Sequence, residues 1–212
     1  LLQHKGWWLP EGEDHQQGLI DVDYEGKKYD SIRGMLNKDG IAIDIGAHIG
    51  QWTSFMSFDF NEVRAFEPMR EHAECWVKNV GLHANRNCKV TLTQTALGAF
   101  SNLAHVSCAT PGNTGTTFLK LGDGNITVDF LDQLIMDHVP VSFIKLDVEG
   151  MEFDALRGAF RILTRWKPAI LFEEKGHHER YGYLAGQTRQ YLEKMGYKLD
   201  MVLGSDFFMR VK

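Results

Sequence analysis

The sequence is poor in cysteine: Cys75, Cys88 and Cys108 are its only three. The number is odd and no Cys-x-x-Cys spacing occurs, so reduced thiols are expected rather than a disulfide framework or a thiolate metal site. Long apolar runs are missing too, and none approaches the roughly 20 residues that a membrane span needs. No signal-peptide pattern is visible, so the expected location is the cytoplasm and no membrane partner is expected. An excess of positive charge is also lacking. The formal net charge is -5, which makes no electrostatic case for a nucleic-acid partner. There is no internal repeat, low-complexity tract or linker-like break in composition.

What remains is an ordinary globular balance. The 212 residues are 43% hydrophobic and 24% charged, enough for one domain with a sizeable core. Residues 1–40 read as an extension packed on the main domain 41–212. The extension holds an aromatic pair, Trp7-Trp8, expected to pack or to cover a site. Residues 18–30 read as a short hairpin around Glu25-Gly26, followed by a short helix over 31–36. From 41 onward strands and helices alternate. Strands are expected at 41–45, 62–66, 90–94, 141–146 and 169–172, with a final antiparallel pair at 197–202 and 206–211. Helices are expected at 51–58, 70–80, 152–163 and 188–195, and an inserted hairpin at 104–107 and 116–119 around the turn 110–115. This alternation predicts an α/β fold with a mostly parallel sheet, a C-terminal antiparallel hairpin and helices on both faces.

The chemistry-bearing motifs fall at strand ends. Ile41-Ala-Ile-Asp-Ile-Gly-Ala-His-Ile-Gly50 is a buried β-branched strand running into a glycine turn. Asp44 is an acid that needs a partner there, and Gly46 and Gly50 permit a tight turn and close approach to a ligand. Ala47 and His48 sit inside the turn. The spacing is Gly-x-x-x-Gly, so the dinucleotide fingerprint is not matched. S-adenosylmethionine, which has no pyrophosphate, needs less of a backbone cradle. The second motif, Val63-Arg-Ala-Phe-Glu-Pro68, places Glu67 at a strand end 23 positions after Asp44. A carboxylate at that spacing can accept hydrogens from both ribose hydroxyls. Gln94-Thr-Ala-Leu-Gly98 follows the third strand, where Gln94, Thr95, Ala96 and Leu97 would approach the adenine edge. Ile144-Lys-Leu-Asp-Val-Glu-Gly-Met-Glu152 ends a fourth strand in acids, with Lys145 and Asp147 on one side by alternation. Glu149 and Glu152 also suit the first turn of a helix. Phe172-Glu-Glu-Lys-Gly-His-His-Glu179 adds Glu173, His177 and His178 at the same sheet edge. Of the other histidines, His72, His83, His105 and His138 read as surface or loop residues.

These segments, in this order, resemble the FkbM-type family of S-adenosylmethionine-dependent methyltransferases. The residues that carry the resemblance are 43–50, 65–68, 95–98, 143–152 with Leu156 and Gly158, and 168–173. Lys-x-Asp-x-Glu-Gly-x-Glu is its most specific segment. The resemblance implies a Rossmann-like class I methyltransferase fold, acting as an O-methyltransferase on hydroxyl groups of a sugar, glycan or natural-product-like small molecule. It implies a cofactor site of Asp44, Gly46, Gly50, Glu67 and Asp147; position adds Ala47, His48, Pro68, Thr95, Ala96 and Leu97. The N-terminal forty residues and the insertion 108–119 would line the acceptor side.

Methyl transfer to an alcohol needs alignment and removal of a proton. Asp147, Glu149, Glu173 and His177 are the catalytic candidates. No metal site is assigned, although hard carboxylate oxygens suit a divalent ion. Two other classes compete. A nicotinamide-dependent oxidoreductase predicts Gly-x-Gly-x-x-Gly, which is absent. A non-catalytic binding domain predicts loss of the strand-end acids, and those are present.

Overall fold

The computed structural model describes residues 1–107 and 113–212; Cys108 and the turn residues 110–112 lie outside that range. Its centre is a seven-stranded sheet. The strands are β1 (Ile41–Ile45), β2 (Glu62–Phe66), β3 (Lys89–Thr93), β4 (Val141–Leu146), β5 (Ala169–Glu173), β6 (Lys198–Leu203) and β7 (Asp206–Arg210). Their spatial order is 3-2-1-4-5-7-6. Strands β1 to β5 are parallel, while β7 runs antiparallel to β5 and pairs with β6. This is the mixed sheet that the sequence pattern predicts.

Strand β1 is buried at all five positions, as expected for a central strand covered on both faces. Ile43, Ile45, Ile144, Leu146, Ile170 and Phe172 enter one large cluster with Leu156, Ile162 and Leu163. Ala42, Val63, Phe143, Leu171 and Phe208 enter another with Trp52 and Met56. Each fully buried large aliphatic or aromatic side chain stabilises the fold by about 1.5–3 kcal/mol. The N-terminal segment joins the second cluster through Tyr29, Ile32 and Leu36.

The helices that bear on the site are α1 (Asp14–Asp21), α2 (Tyr24–Arg33), α3 (Gln51–Met56), α4 (Arg70–His83), α5 (Glu152–Arg157), α6 (Phe160–Trp166) and α7 (Gln187–Lys194). Three features of these helices correct the sequence reading. Residues 18–30 form no hairpin; they belong to α1 and α2. Gly26, read as the turn, is helical and lies tight against the Asp23 carboxylate. The helix expected over 51–58 ends at Met56 and leaves Phe58 exposed. The helix expected over 152–163 breaks at Gly158, where a side chain would run into the carbonyl of Gly98. The break takes Phe160 out of phase with Leu156, and Phe160 is 56% exposed.

The expected insertion is larger than a hairpin. Strands Asn102–Ser107 and Phe118–Leu121 pair antiparallel. Ala96–Leu97 and Ile126–Asp129 extend them into a second sheet of four strands. Trp7 and Trp8 pack on the outside: Trp7 stacks on His83 and meets Phe55, and Lys78 lies over Trp8. Among the described residues no helix is long and apolar enough to cross a membrane.

Candidate functional site

The carboxyl ends of β1, β2, β4 and β5 open into one cavity of about 350 Å³. That volume lies within the range of sites that take small ligands, roughly 300–1,000 Å³. Its floor is strand-end residues. Its walls are α1 and α2 on one side and residues 113–119 of the insertion on another. Both segments expected on the acceptor side thus line the cavity, and the insertion also reaches the Glu67 end.

The glycine turn is shaped first by the protein's own packing. Gly46 has φ +73, and a Cβ there would collide with the carbonyl oxygen of Asp147. Only glycine allows β1 and β4 to meet this closely where they leave the sheet. Gly50 caps α3 against Trp76. Of the sequence-predicted cofactor residues, Gly46, Ala47, His48, Glu67, Pro68, Thr95, Ala96, Leu97 and Asp147 line the cavity. Asp44 and Gly50 do not; they lie beneath it. Asp44 is 0% exposed, accepts a 2.5 Å bond from the Thr53 hydroxyl and stands 3.8 Å from Lys145. Burial pushes its carboxyl up, while Lys145 and Thr53 pull it back.

Lys145 lies beside Asp44 in the β4–β1 register. Its ammonium donates to the Gly46 carbonyl at 3.1 Å and is 3.9 Å from Asp147. Burial disfavours that charge, but Asp147 and Asp44 outweigh it and hold the amine above its ordinary value. Lys145 therefore ties the glycine turn to the acids of β4. Its alternation is legible in the sequence; its partner across the strand is not.

At the β2 end, Glu67 is fixed by backbone donors. Its carboxylate accepts from His48 N at 2.8 Å and Met69 N at 2.9 Å. His48 has φ +49, and its Nε2 is buried with no hydrogen-bond partner. Burial, His72 and Lys145 push its imidazole well down, so it is neutral at pH 7. Thr95 is engaged within the fold: its hydroxyl meets Asp129 Oδ2 at 3.0 Å and the Thr127 carbonyl at 2.9 Å. Gln94 is exposed, and its amide reaches the Pro68 carbonyl at 3.4 Å.

His72 corrects the sequence reading. It is buried, with Nδ1 3.4 Å from Glu67 Oε1 and Nε2 2.8 Å from the Thr114 hydroxyl. Thr114 in turn donates to Glu13. None of Glu13, His72 and Thr114 is marked by a sequence motif. Glu13 does stand three residues before Gln16, an N-cap spacing, and accepts from Gln16 N.

At the other end, Asp147, Glu149 and Glu173 each present an oxygen, all within 4.8 Å of one another. Three carboxylates this close cannot all ionise easily. Burial, then Asp147, push Glu149 up to about 8, and the same two causes push Glu173 up to about 8. Lys175 Nζ is 2.6 Å from Glu173 Oε1, and the Ser205 hydroxyl donates to the same oxygen at 3.2 Å. His177 stands behind the cavity wall, its Nδ1 2.5 Å from Glu149 Oε2. Burial, then Arg180 and Lys175, lower its imidazole below the ordinary value. Glu152 belongs to the turn: its carboxylate accepts from Val148 N and Gly150 N. From α2, Lys28 reaches Asp206 at 2.6 Å and lies over the Tyr24 ring. Asp206 pairs in register with Glu173. The acids of this end offer oxygens of the kind a hard divalent cation takes, with the Lys175 ammonium already among them.

A sheet ordered 3-2-1-4-5-7-6 with its cavity at the carboxyl edge defines the Rossmann-like fold of class I methyltransferases. The chain belongs to the FkbM methyltransferase domain family, whose model matches residues 44–199. Among solved structures it is similar to the FkbM methyltransferase of Methylobacillus flagellatus KT, with 20% identity and a TM-score of 0.55. That alignment covers 81% of this chain and 43% of the other, so the chain spans less than half the length of that protein. It is also similar to an rRNA methylase of Streptococcus thermophilus, with 13% identity, a TM-score of 0.52, and 89% and 97% of the two chains covered. At such identities the likeness establishes the fold alone. No curated protein matches the chain.

Proposed function

We propose that the protein transfers a methyl group from S-adenosylmethionine to a hydroxyl oxygen of a sugar, glycan or small natural-product-like acceptor. One observation carries this reading: a single cavity has a backbone-anchored Glu67 at one end and three converging carboxyl groups at the other. Family membership supports the same assignment. The donor set fits the cofactor. Glu67 retains acceptor capacity for ribose hydroxyls, the unpartnered Nε2 of neutral His48 belongs to a residue lining the same space, and the acids at the β4 end suit an ammonium group.

When bound, the cofactor supplies an activated methyl group on a sulfonium, with a neutral thioether as leaving group. The chain's residues do the rest. Glu67 and the 46–48 turn bind the nucleoside part. Asp147, the most open of the three acids at 35% side-chain exposure, faces the methionyl end. Glu173 takes the proton from the acceptor hydroxyl, with Lys175 and Ser205 holding one of its oxygens in place. Glu149, whose oxygen converges on that of Glu173, is pushed up by burial and its acidic neighbours and so holds a proton rather than adding a further charge beside Glu173. Lys175 is the resident cation of this cluster, so no divalent ion is assigned to it. A free base with a pKa near 8 works close to neutral pH.

The test is calorimetry with S-adenosylmethionine, S-adenosylhomocysteine and NAD, followed by transfer of a labelled methyl group to a panel of sugars and polyhydroxylated small molecules. Binding of both adenosyl ligands, with label appearing in a hydroxyl-bearing acceptor, is the expected result. Binding of NAD alone would overturn the reading. Cofactor binding with no transfer to any acceptor would favour a non-catalytic binding domain.

A further inference from the structure

We propose that Glu13, Thr114 and His72 are positioning residues for the cofactor, forming a relay that sets the Glu67 carboxylate and clasps the N-terminal segment to the insertion over that end of the cavity. The inference rests on the assignment of Glu67 to the ribose. It concerns residues outside the matched motifs: Glu13 precedes α1, Thr114 lies in the inserted segment, and the two are 101 positions apart.

The relay is buried and its donors can be counted. Glu13 is only 1% exposed, yet it is a carboxylate with no lysine or arginine ion-paired to it among the described residues. A buried carboxylate is tolerated when several donors reach it. Glu13 has three: Gln16 N at 3.3 Å on one oxygen, and both the backbone N–H (2.6 Å) and the hydroxyl of Thr114 on the other. The threonine hydroxyl has one proton, and it goes to Glu13. The oxygen of Thr114 therefore accepts from His72, at 2.8 Å, and this selects the Nε2–H form of that contact. The ring so oriented turns Nδ1 to Glu67 Oε1 at 3.4 Å, and a carboxylate accepts there only from an N–H, so the relay uses the imidazolium with a proton on both nitrogens. Glu67 is already held from below by His48 N and Met69 N. The relay adds a third partner to this carboxylate, which itself lines the cavity.

Two walls meet in this contact. His15 and Gln16 follow Glu13 into the cavity lining, and Asn113 to Leu119 line it from the insertion. Breaking the Glu13–Thr114 pair frees these walls from each other, so the clasp governs how fast a bound nucleoside leaves.

The probe is S-adenosylhomocysteine, followed by calorimetry and by stopped-flow fluorescence, since Trp52 lines the cavity. Thr114→Val keeps size and the backbone N–H but removes the hydroxyl. It should raise the dissociation rate and weaken affinity by roughly tenfold, the scale of one charge-assisted hydrogen bond. Thr114→Ser should restore both. Glu13→Gln should act in the same direction, and Glu13→Gln with Thr114→Val should cost less than the sum of the two. Thermal unfolding of each unliganded variant checks that the fold is intact. If Thr114→Val and Glu13→Gln both bind and release the ligand as the native chain does, while Glu67→Ala does not bind it, the relay is wrong and the role of Glu67 stands. If Thr114→Ser is as impaired as Thr114→Val, the hydroxyl has no part and the relay is overturned. If Glu67→Ala binds normally, the ribose assignment fails and the relay fails with it.

Discussion

The two ends of the cavity are built on opposite principles. At the β2 end the decisive carboxylate, Glu67, is surrounded by fixed groups: two backbone amides and the imidazole of His72. Its neighbour His48 is neutral. At the β4–β5 end Asp147, Glu149 and Glu173 crowd one another, and burial pushes two of them up to about 8. One end is organised before anything binds. The other holds a proton that it releases readily. The difference is what binding at one end and proton transfer at the other require.

The largest separation should come from Glu173→Gln. It keeps the shape and removes the base, so turnover should fall by roughly 10²–10⁴-fold, the usual contribution of a general base. Affinity for S-adenosylhomocysteine should stay within about twofold. The same experiment on the native chain should show turnover rising with pH through about 8, where Glu173 loses its proton. A flat profile, or a matching loss of cofactor affinity, would erase the division between the two ends.

Glu67→Ala is the converse. Two hydrogen bonds from ribose hydroxyls to a charged acceptor are worth enough together to predict a loss of roughly a hundredfold in cofactor affinity. The position of the pH profile, measured at saturating cofactor, should not move. Movement of that profile in Glu67→Ala would mean that the ends are electrically coupled.

How much of this is legible in the sequence follows from the same contrast. Strands β1, β4 and β5 are visible because they are short, apolar and buried almost throughout, while β2 and β3 show through alternation; the ends of β2 and β4 announce Glu67 and Asp147. The partners of those acids are not visible. Lys145 meets Asp44 through strand register, and Glu13 meets Thr114 across 101 positions. Local patterns contain neither distance. His72 looks like a helix-surface residue because nothing in 70–83 says that the insertion folds over that side. Residues 18–30 mislead for a related reason: glycine in a helix is unfavourable by about 1 kcal/mol, and tertiary packing of Tyr29 and Ile32 overrides it.

The acid cluster should also appear in stability. Glu149 has a folded-state value of about 8 against an ordinary 4.5. Between those limits the folded chain binds more protons than the unfolded one, so stability is greatest at the acidic side and falls as pH rises toward 8. Glu149→Gln removes one titrating group. Urea unfolding from about pH 5 to about pH 9 should then show a shallower fall, reduced by the proton-uptake difference of that single group. An identical slope in the variant would show that Glu149 does not hold a proton in the cluster.

The smallest expected effect tests which cation serves the acids. Lys175 sits 2.6 Å from Glu173 and raises no demand for a second cation there. A divalent ion at the three oxygens would have to compete with that ammonium and be stripped of water, which magnesium resists. Chelation should therefore change turnover by less than about twofold in the native chain, within the spread of ordinary surface electrostatics. Lys175→Ala removes the competitor beside Glu173 and leaves Lys145, 3.9 Å from Asp147, as the remaining lysine at the cluster. In that variant added magnesium should raise turnover, and calorimetry should detect its binding. If chelation silences the native chain instead, the carboxylate end is a metal centre, and its contrast with the Glu67 end is one of metal against backbone donors rather than of proton against hydrogen bond.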